Sequence, residues 1–134
     1  MGERINHFRE LRVYQLALQT ALDISKLTRI FPAHERYVLA DQMKRSSRSI
    51  CANLAESWRK RRYKAAFIAK LSDCEAEACE MQVWLEIAYQ ENYINEETFE
   101  ENNAIYQHIL AQLILMSQQA DKWVLKKIPS AQNG

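Results

Sequence analysis

Glycine occurs only at Gly2 and Gly134, and proline only at Pro32 and Pro129. A 134-residue chain with no glycine between its ends has few positions suited to left-handed backbone. It cannot supply the many tight turns of a β-sandwich or an α/β fold, so long helices joined by short connections remain. With 48% apolar and 26% charged residues the chain has the material for a packed core and does not read as disordered.

The apolar residues recur at helical spacing. After a lead-in in which Phe8 and Leu11 tuck against the core, a first helix is expected over about residues 9–30. Tyr14, Ala17, Leu18, Ala21, Ile24 and Phe31 share its inner face, and Pro32 stops it. A second helix follows over about 35–58, with Leu39, Met43, Ser46, Ile50, Leu54 and Ser57 inward. A tight turn is placed near Arg59 to Arg62, because the apolar phase restarts at Phe67. Phe67, Leu71, Cys74, Ala78, Met81, Leu85 and Ala88 then form an unbroken heptad seam in a third helix over about 63–91. Asn92 to Asn95 make the next connection, with Asn95 as N-cap and Glu96 and Glu97 at the positive end of a fourth helix over about 96–127. That helix lines up Phe99, Asn102, Tyr106, Ile109, Leu113, Met116, Ala120 and Trp123 at 3,4 spacing. Lys126 and Lys127 suit its negative end, and the tail Pro129 to Gly134 is expected to be disordered. The fold class is all-α, an antiparallel up-down-up-down four-helix bundle in a single domain over 1–134. Leu110, Ile114 and Val124, and Val83, Trp84 and Ile87, form second apolar lines that one internal seam cannot cover, so a homo-oligomer is expected.

The stretch Lys44 to Lys64 asks for a functional explanation. Opposite its apolar line, Arg45, Arg48, Arg59 and Arg62 share an arc, separated by alanines too small to hide them. A solvated face is one reading; an anion-binding face, for nucleic-acid phosphates above all, is the other. Net charge is only +1, yet Lys44 to Lys70 carries nine Lys/Arg against Glu56, while Leu71 to Asp121 carries eleven Asp/Glu and no Lys or Arg. The two blocks could pair within the chain, pair between subunits, or face separate partners.

Much chemistry is excluded. Terminal glycines leave no phosphate-binding loop, and none of His7, His34 and His108 follows a Glu by three residues, as a di-iron bundle requires. Cys51, Cys74 and Cys79 lack zinc spacing and read as reduced thiols. Ser46, Ser47 and Ser49 read as packing residues with no activating base, and Asp73, Glu75, Glu77 and Glu80 as a solvated or inter-subunit face rather than a cation site. Arg29 and His34 match a loose ribonuclease spacing, which makes cleavage a remote third reading. Asn53, at the edge of an apolar face, must find a hydrogen-bond partner, as a register-fixing amide or as a ligand contact. No enzyme activity, cofactor or metal is expected. No apolar run is long enough to span a bilayer, and the N-terminus lacks a signal-peptide core, so a cytoplasmic protein is expected.

Three segments resemble a known family: Phe8-x-x-Leu11-x-Val13-Tyr14-Gln15-x-Ala17; Leu27-Thr28-x-x-Phe31-Pro32-x-x-Glu35-x-Tyr37-x-Leu39-x-x-Gln42-Met43-x-Arg45; and Ser49-Ile50-Cys51-Ala52-Asn53-Leu54-Ala55-Glu56. With Phe67-Ile68-x-x-Leu71 and Glu77 to Ala88, they are similar to the four-helix bundle proteins related to the 23S rRNA intervening-sequence protein, over about residues 8–128. The resemblance implies a left-handed antiparallel bundle that assembles as a ring, commonly a pentamer. A related branch, the accessory protein of diversity-generating retroelements, binds nucleic acid and a reverse transcriptase through a basic surface. That analogy implies Arg45, Arg48, Arg59, Lys60, Arg61, Arg62 and Lys64 as the nucleic-acid-binding residues, RNA or DNA as ligand, and a reverse transcriptase as a protein partner. Two features depart from the family: Ser57-Trp58-Arg59 stands where many members have a glycine after the Ala-Glu pair, and the nearly neutral charge contrasts with the strongly basic accessory branch. The alternative is a structural or protein-binding assembly in which basic and acidic blocks pair between subunits.

Overall fold

The computed structural model describes residues 4–126. Its four long helices are α1 (Arg12–Leu27), α2 (Leu39–Arg59), α3 (Lys64–Gln90) and α4 (Glu96–Gln118), followed by the short α5 (Ala120–Trp123). There is no strand among the described residues. Each long helix packs against its neighbour in sequence and α1 closes onto α4, with the most extensive packing between α2 and α3. The result is a four-helix bundle around one buried cluster that runs from Leu11 to Ala120.

The heptad seam of α3 is the spine of that cluster. All seven residues from Phe67 to Ala88 are fully buried. Full burial of a side chain such as Leu71 or Leu85 contributes roughly 2 kcal/mol. The inner line of α2 is buried throughout, Leu39 and Ser46 included. In α4, Tyr106, Ile109, Leu113 and Met116 face inward as their spacing requires.

The first helix departs from expectation. Arg12–Leu27 is shorter than 9–30, because the 3-10 turns Phe8–Glu10 and Thr28–Ile30 flank it. Its seam runs through Val13, Ala17, Thr20, Ala21 and Ile24, whereas Leu18 is 42% exposed. Thr20 can lie inside because its hydroxyl donates to the Leu16 carbonyl at 2.7 Å.

Helix α2 starts at Leu39, four residues after the expected Glu35. Ala33–Glu35 forms a 3-10 turn behind Pro32, and the Glu35 carboxylate accepts the Leu39 N–H at 3.3 Å, which satisfies one open donor of the helix start. At its other end α2 runs to Arg59 and turns through residues 60–63 without any left-handed residue. The Lys60 N–H reaches the Glu56 and Ser57 carbonyls at 3.0 Å, and the Tyr63 N–H reaches that of Lys60 at 3.0 Å. This geometry needs no glycine, and Ser57, which follows the Ala55-Glu56 pair, is buried, donating to the Leu54 carbonyl at 2.7 Å.

Helix α3 ends on Asn92, the one non-glycine residue with positive φ (64°) among those described. The N–H of Tyr93 bonds the Ala88 carbonyl at 2.8 Å and that of Asn92 bonds Tyr89 at 2.9 Å, the paired bonds of a left-handed C-terminal cap. Asn95 then caps α4 as expected, accepting from the Thr98 N–H at 2.8 Å. Helix α4 stops at Gln118 rather than near 127, because Gln119 leaves helical geometry (φ −103°, ψ 26°) and the chain folds back until the Leu125 N–H bonds the Arg61 carbonyl at 2.9 Å. Lys126 therefore lies beyond α5 and does not sit on the end of α4. Lys127 and the tail from Pro129 lie outside the described residues.

Candidate nucleic-acid interface

The seven basic residues singled out in the sequence fall into two groups. Arg45 and Arg48 project from the exposed side of α2; Arg59, Lys60, Arg61, Arg62 and Lys64 gather at the α2–α3 turn. Within the chain the acidic block takes few of them. Lys64 pairs with Asp121 of that block at 2.9 Å, and Arg45 pairs loosely with Asp41, outside the block, at 3.9 Å. The Asp121 carboxylate also supplies negative charge at the start of α3, whose first turn holds no acid of its own. Lys70 takes up Glu56 and Asp73. Arg48, Arg59, Lys60 and Arg62 are exposed and form no ion pair among the described residues.

Arg61 is held differently. Its guanidinium stacks over the Trp58 ring, 3.5 Å from the centroid, and its Nε donates to the Trp58 carbonyl at 2.8 Å. Burial first, and the neighbouring Arg59 second, lower its pKa from the usual guanidinium value. Trp58 is itself buried and meets Trp123 edge-on, with ring centroids 6.2 Å apart. The bond from Leu125 to the Arg61 carbonyl then fixes the C-terminal segment across the turn.

That arrangement brings in residues that the sequence reading did not include. A concavity of about 390 Å³ is walled by Arg59, Lys60, Arg61, Arg62 and Tyr63 over Trp58. A second, of about 500 Å³, adjoins it through Trp58, Arg61 and Leu125, and adds Arg4, Lys122 and Lys126. No carboxylate lines either one. Seven cations from the N-terminal segment, the α2–α3 turn and the C-terminal segment thus share one end of the bundle, beside three aromatic rings. Such a surface can hold phosphates by charge and offer Tyr63, 64% exposed, to a base. Arg4, Lys122 and Lys126 lie outside the basic run; the change of course after Gln119 brings Lys122 and Lys126 to this end, and no sequence signal points to Arg4.

Other candidate residues serve structure. Asn53 accepts from Lys70 Nζ at 3.2 Å and donates to the Ser49 hydroxyl at 3.1 Å, a bridge between α2 and α3 that suits the register reading. Ser46 is buried and accepts from the Trp84 indole at 3.2 Å. Nearby, burial and then Glu80 raise the pKa of Glu77. His108 is exposed, and His34 lies 3.4 Å from the Tyr93 hydroxyl, which donates to Glu35 at 2.7 Å. No group of His, Cys, Asp and Glu among the described residues could hold a metal ion, and no helix among them is long and apolar enough to cross a membrane.

The sequence matches the family described as 23S rRNA-intervening sequence protein over residues 9–115. Among solved structures it is similar to a crystal structure from Bacteroides thetaiotaomicron VPI-5482, a protein of unknown function from the S23 ribosomal protein family. The two share 30% identity and a TM-score of 0.71, over 79% of this chain and 95% of that one. No curated protein matches the sequence.

Proposed function

This chain belongs to the family of 23S rRNA-intervening sequence proteins, and on that premise we propose that it is a non-enzymatic, oligomeric bundle that holds nucleic acid by its phosphates, without sequence preference. In this reading the helices run up-down-up-down in a left-handed antiparallel bundle, a single cytoplasmic domain. Arg45 and Arg48 extend the binding surface along α2 from the basic end. The observation that carries it is the set Arg59, Lys60 and Arg62, exposed and without ion pairs among the described residues, on a concave surface lined by no carboxylate. Counterion release makes such binding fall steeply with salt, by close to one unit of slope per phosphate contact. Fluorescence anisotropy with RNA and DNA oligonucleotides over a salt series tests it. Binding that ignores salt, or none at low salt, would sink the reading.

Oligomerisation rests on apolar exposure. Val83 and Ile87 on α3, Ile114 and Leu115 on α4, and Leu18 and Leu22 on α1 are each between 38% and 52% exposed. A second copy of the chain is the partner we propose for them, in a ring of five as the family resemblance implies. A reverse transcriptase is the protein partner that the accessory branch suggests. A second reading, assembly by pairing of basic and acidic blocks between subunits, is favoured by Glu86, Glu91, Glu96, Glu97, Glu100 and Glu101. All six are exposed and outside any ion pair among the described residues. It requires that high salt dissociate the assembly, which light scattering at two salt concentrations decides.

A further inference from the structure

At the far end of α2 from the basic turn, a depression of about 340 Å³ lies where α1 hands over to α2. Arg29, Arg36 and Lys44 stand around it, Ser25 and Thr28 contribute hydroxyl-bearing side chains, and the buried Phe31 closes one wall. We propose that this depression is an anion site that takes the phosphate group of a small phosphorylated molecule.

The charge arrangement is the argument. Three cations converge on one concavity that no carboxylate lines, and none of the three forms an ion pair among the described residues. The nearby carboxylates are otherwise engaged. Glu35 accepts from the Tyr93 hydroxyl and the Leu39 N–H, and Asp41 faces Arg45. Arg36, just ahead of the α2 start at Leu39, lies near the positive end of that helix. A bound oxyanion would offset the mutual repulsion of the three cations while accepting hydrogen bonds from the guanidinium groups of Arg29 and Arg36. The volume falls within the usual range for small-ligand sites. The site is built to bind and not to cleave: His34, the partner of Arg29 in the ribonuclease spacing, does not line it and turns to Tyr93.

Lys44 and Arg59 are fifteen positions apart on one helix, or about 22 Å at 1.5 Å per residue, so this site is separate from the basic turn. Isothermal titration calorimetry of the full chain with sodium phosphate, against chloride at matched ionic strength, tests it. Saturable binding on the order of a millimolar is expected, at least tenfold weaker in an Arg36→Gln, Lys44→Gln double variant. Both residues are at least partly exposed, so the variant should keep the parent circular dichroism and melting curve. Arg59→Ala with Arg62→Ala should keep the saturable phase that the Arg36/Lys44 variant loses, whatever it does to oligonucleotide binding, which keeps this site independent of the nucleic-acid reading. Adenosine monophosphate should bind more tightly than phosphate and compete with it. Absence of saturable binding, or equal affinity in the Arg36/Lys44 variant, would overturn the site. An oligonucleotide that displaces phosphate where adenosine monophosphate does not would overturn the small-molecule assignment.

Discussion

The guanidinium of Arg61 lies 3.5 Å from the centroid of the Trp58 ring and returns a 2.8 Å hydrogen bond from Nε to the carbonyl of that same tryptophan. Two adjacent turns of chain are thereby locked at the point where α2 gives way to α3, with Leu125 bonded to the Arg61 carbonyl from the other side. The most enclosed arginine of the basic end acts as its structural clamp. Its neighbours Arg59 and Arg62 are exposed and form no ion pair among the described residues, and in the proposed reading they are the ones that meet the ligand.

Stability and binding should therefore separate between Arg61 and Arg62. Arg61→Ala removes a cation–π contact and a hydrogen bond and should cost about 1 kcal/mol in urea unfolding. Arg62→Ala should stay within about 0.5 kcal/mol of the parent yet lower the slope of log K against log salt by roughly 0.7 to 0.9. If Arg61→Ala proves neutral in stability and the more damaging of the two to oligonucleotide affinity, the clamp assignment is wrong.

The left-handed residue Asn92 gives a second prediction. At φ 64° it occupies the cap position where glycine has no steric cost. Asn92→Gly should stabilise the protein by a few tenths of a kcal/mol, and Asn92→Val should destabilise it by about 1 kcal/mol or more. Thermal melts of the two variants should fall on opposite sides of the parent.

What the sequence makes legible follows from how each feature is encoded. The α3 seam is spelled out by a strict repeat, and each of its seven residues, Phe67, Leu71, Cys74, Ala78, Met81, Leu85 and Ala88, is buried as read. In α1 Ala17, Ala21 and Ile24 are buried as read, but a polar residue, Thr20, is inside because it satisfies itself on Leu16, and an apolar one, Leu18, is outside, so hydropathy alone misassigned those two positions. The late start of α2 goes with the 3-10 turn Ala33–Glu35 and with Val38 standing off helical geometry (φ −120°, ψ −95°), which a periodicity argument does not register. The same holds for the site. Arg59 to Arg62 are adjacent in sequence and visible as a run, whereas Lys122 and Lys126 reach the basic end through the change of course after Gln119 and Arg4 through the N-terminal segment, neither of which a periodicity argument registers.

Tyr106 is fully buried and its hydroxyl has no hydrogen-bond partner among the described residues. Burial raises its pKa, and the hydroxyl bears a desolvation cost without a compensating bond. Tyr106→Phe keeps the ring and deletes the hydroxyl, so it should be neutral or stabilising by about 1 kcal/mol. A loss of more than 1 kcal/mol in chemical denaturation would show that the hydroxyl is bonded in the folded protein.

The three thiols should differ sharply in reactivity. Cys79 is exposed, Cys51 is half-buried with its pKa pushed up to about 11 by burial, and Cys74 is buried with its pKa pushed up to about 12 by burial and then by Asp73. Because thiolate is the reactive form, a disulfide reagent at pH 8 should titrate one thiol quickly in the native protein and all three in denaturant. A Cys79→Ser variant should lose the fast phase alone. The same shifts set a sign for stability. A thiol whose folded pKa lies above its unfolded value near 9.0 holds its proton more tightly in the folded state, so its contribution is complete below about pH 9 and is lost as pH rises toward 11 and 12. Melting temperature followed from pH 8 to 11 should fall. A flat profile, together with rapid labelling of Cys51, would mean that the α2–α3 seam around Ile50 opens far more readily than its packing implies.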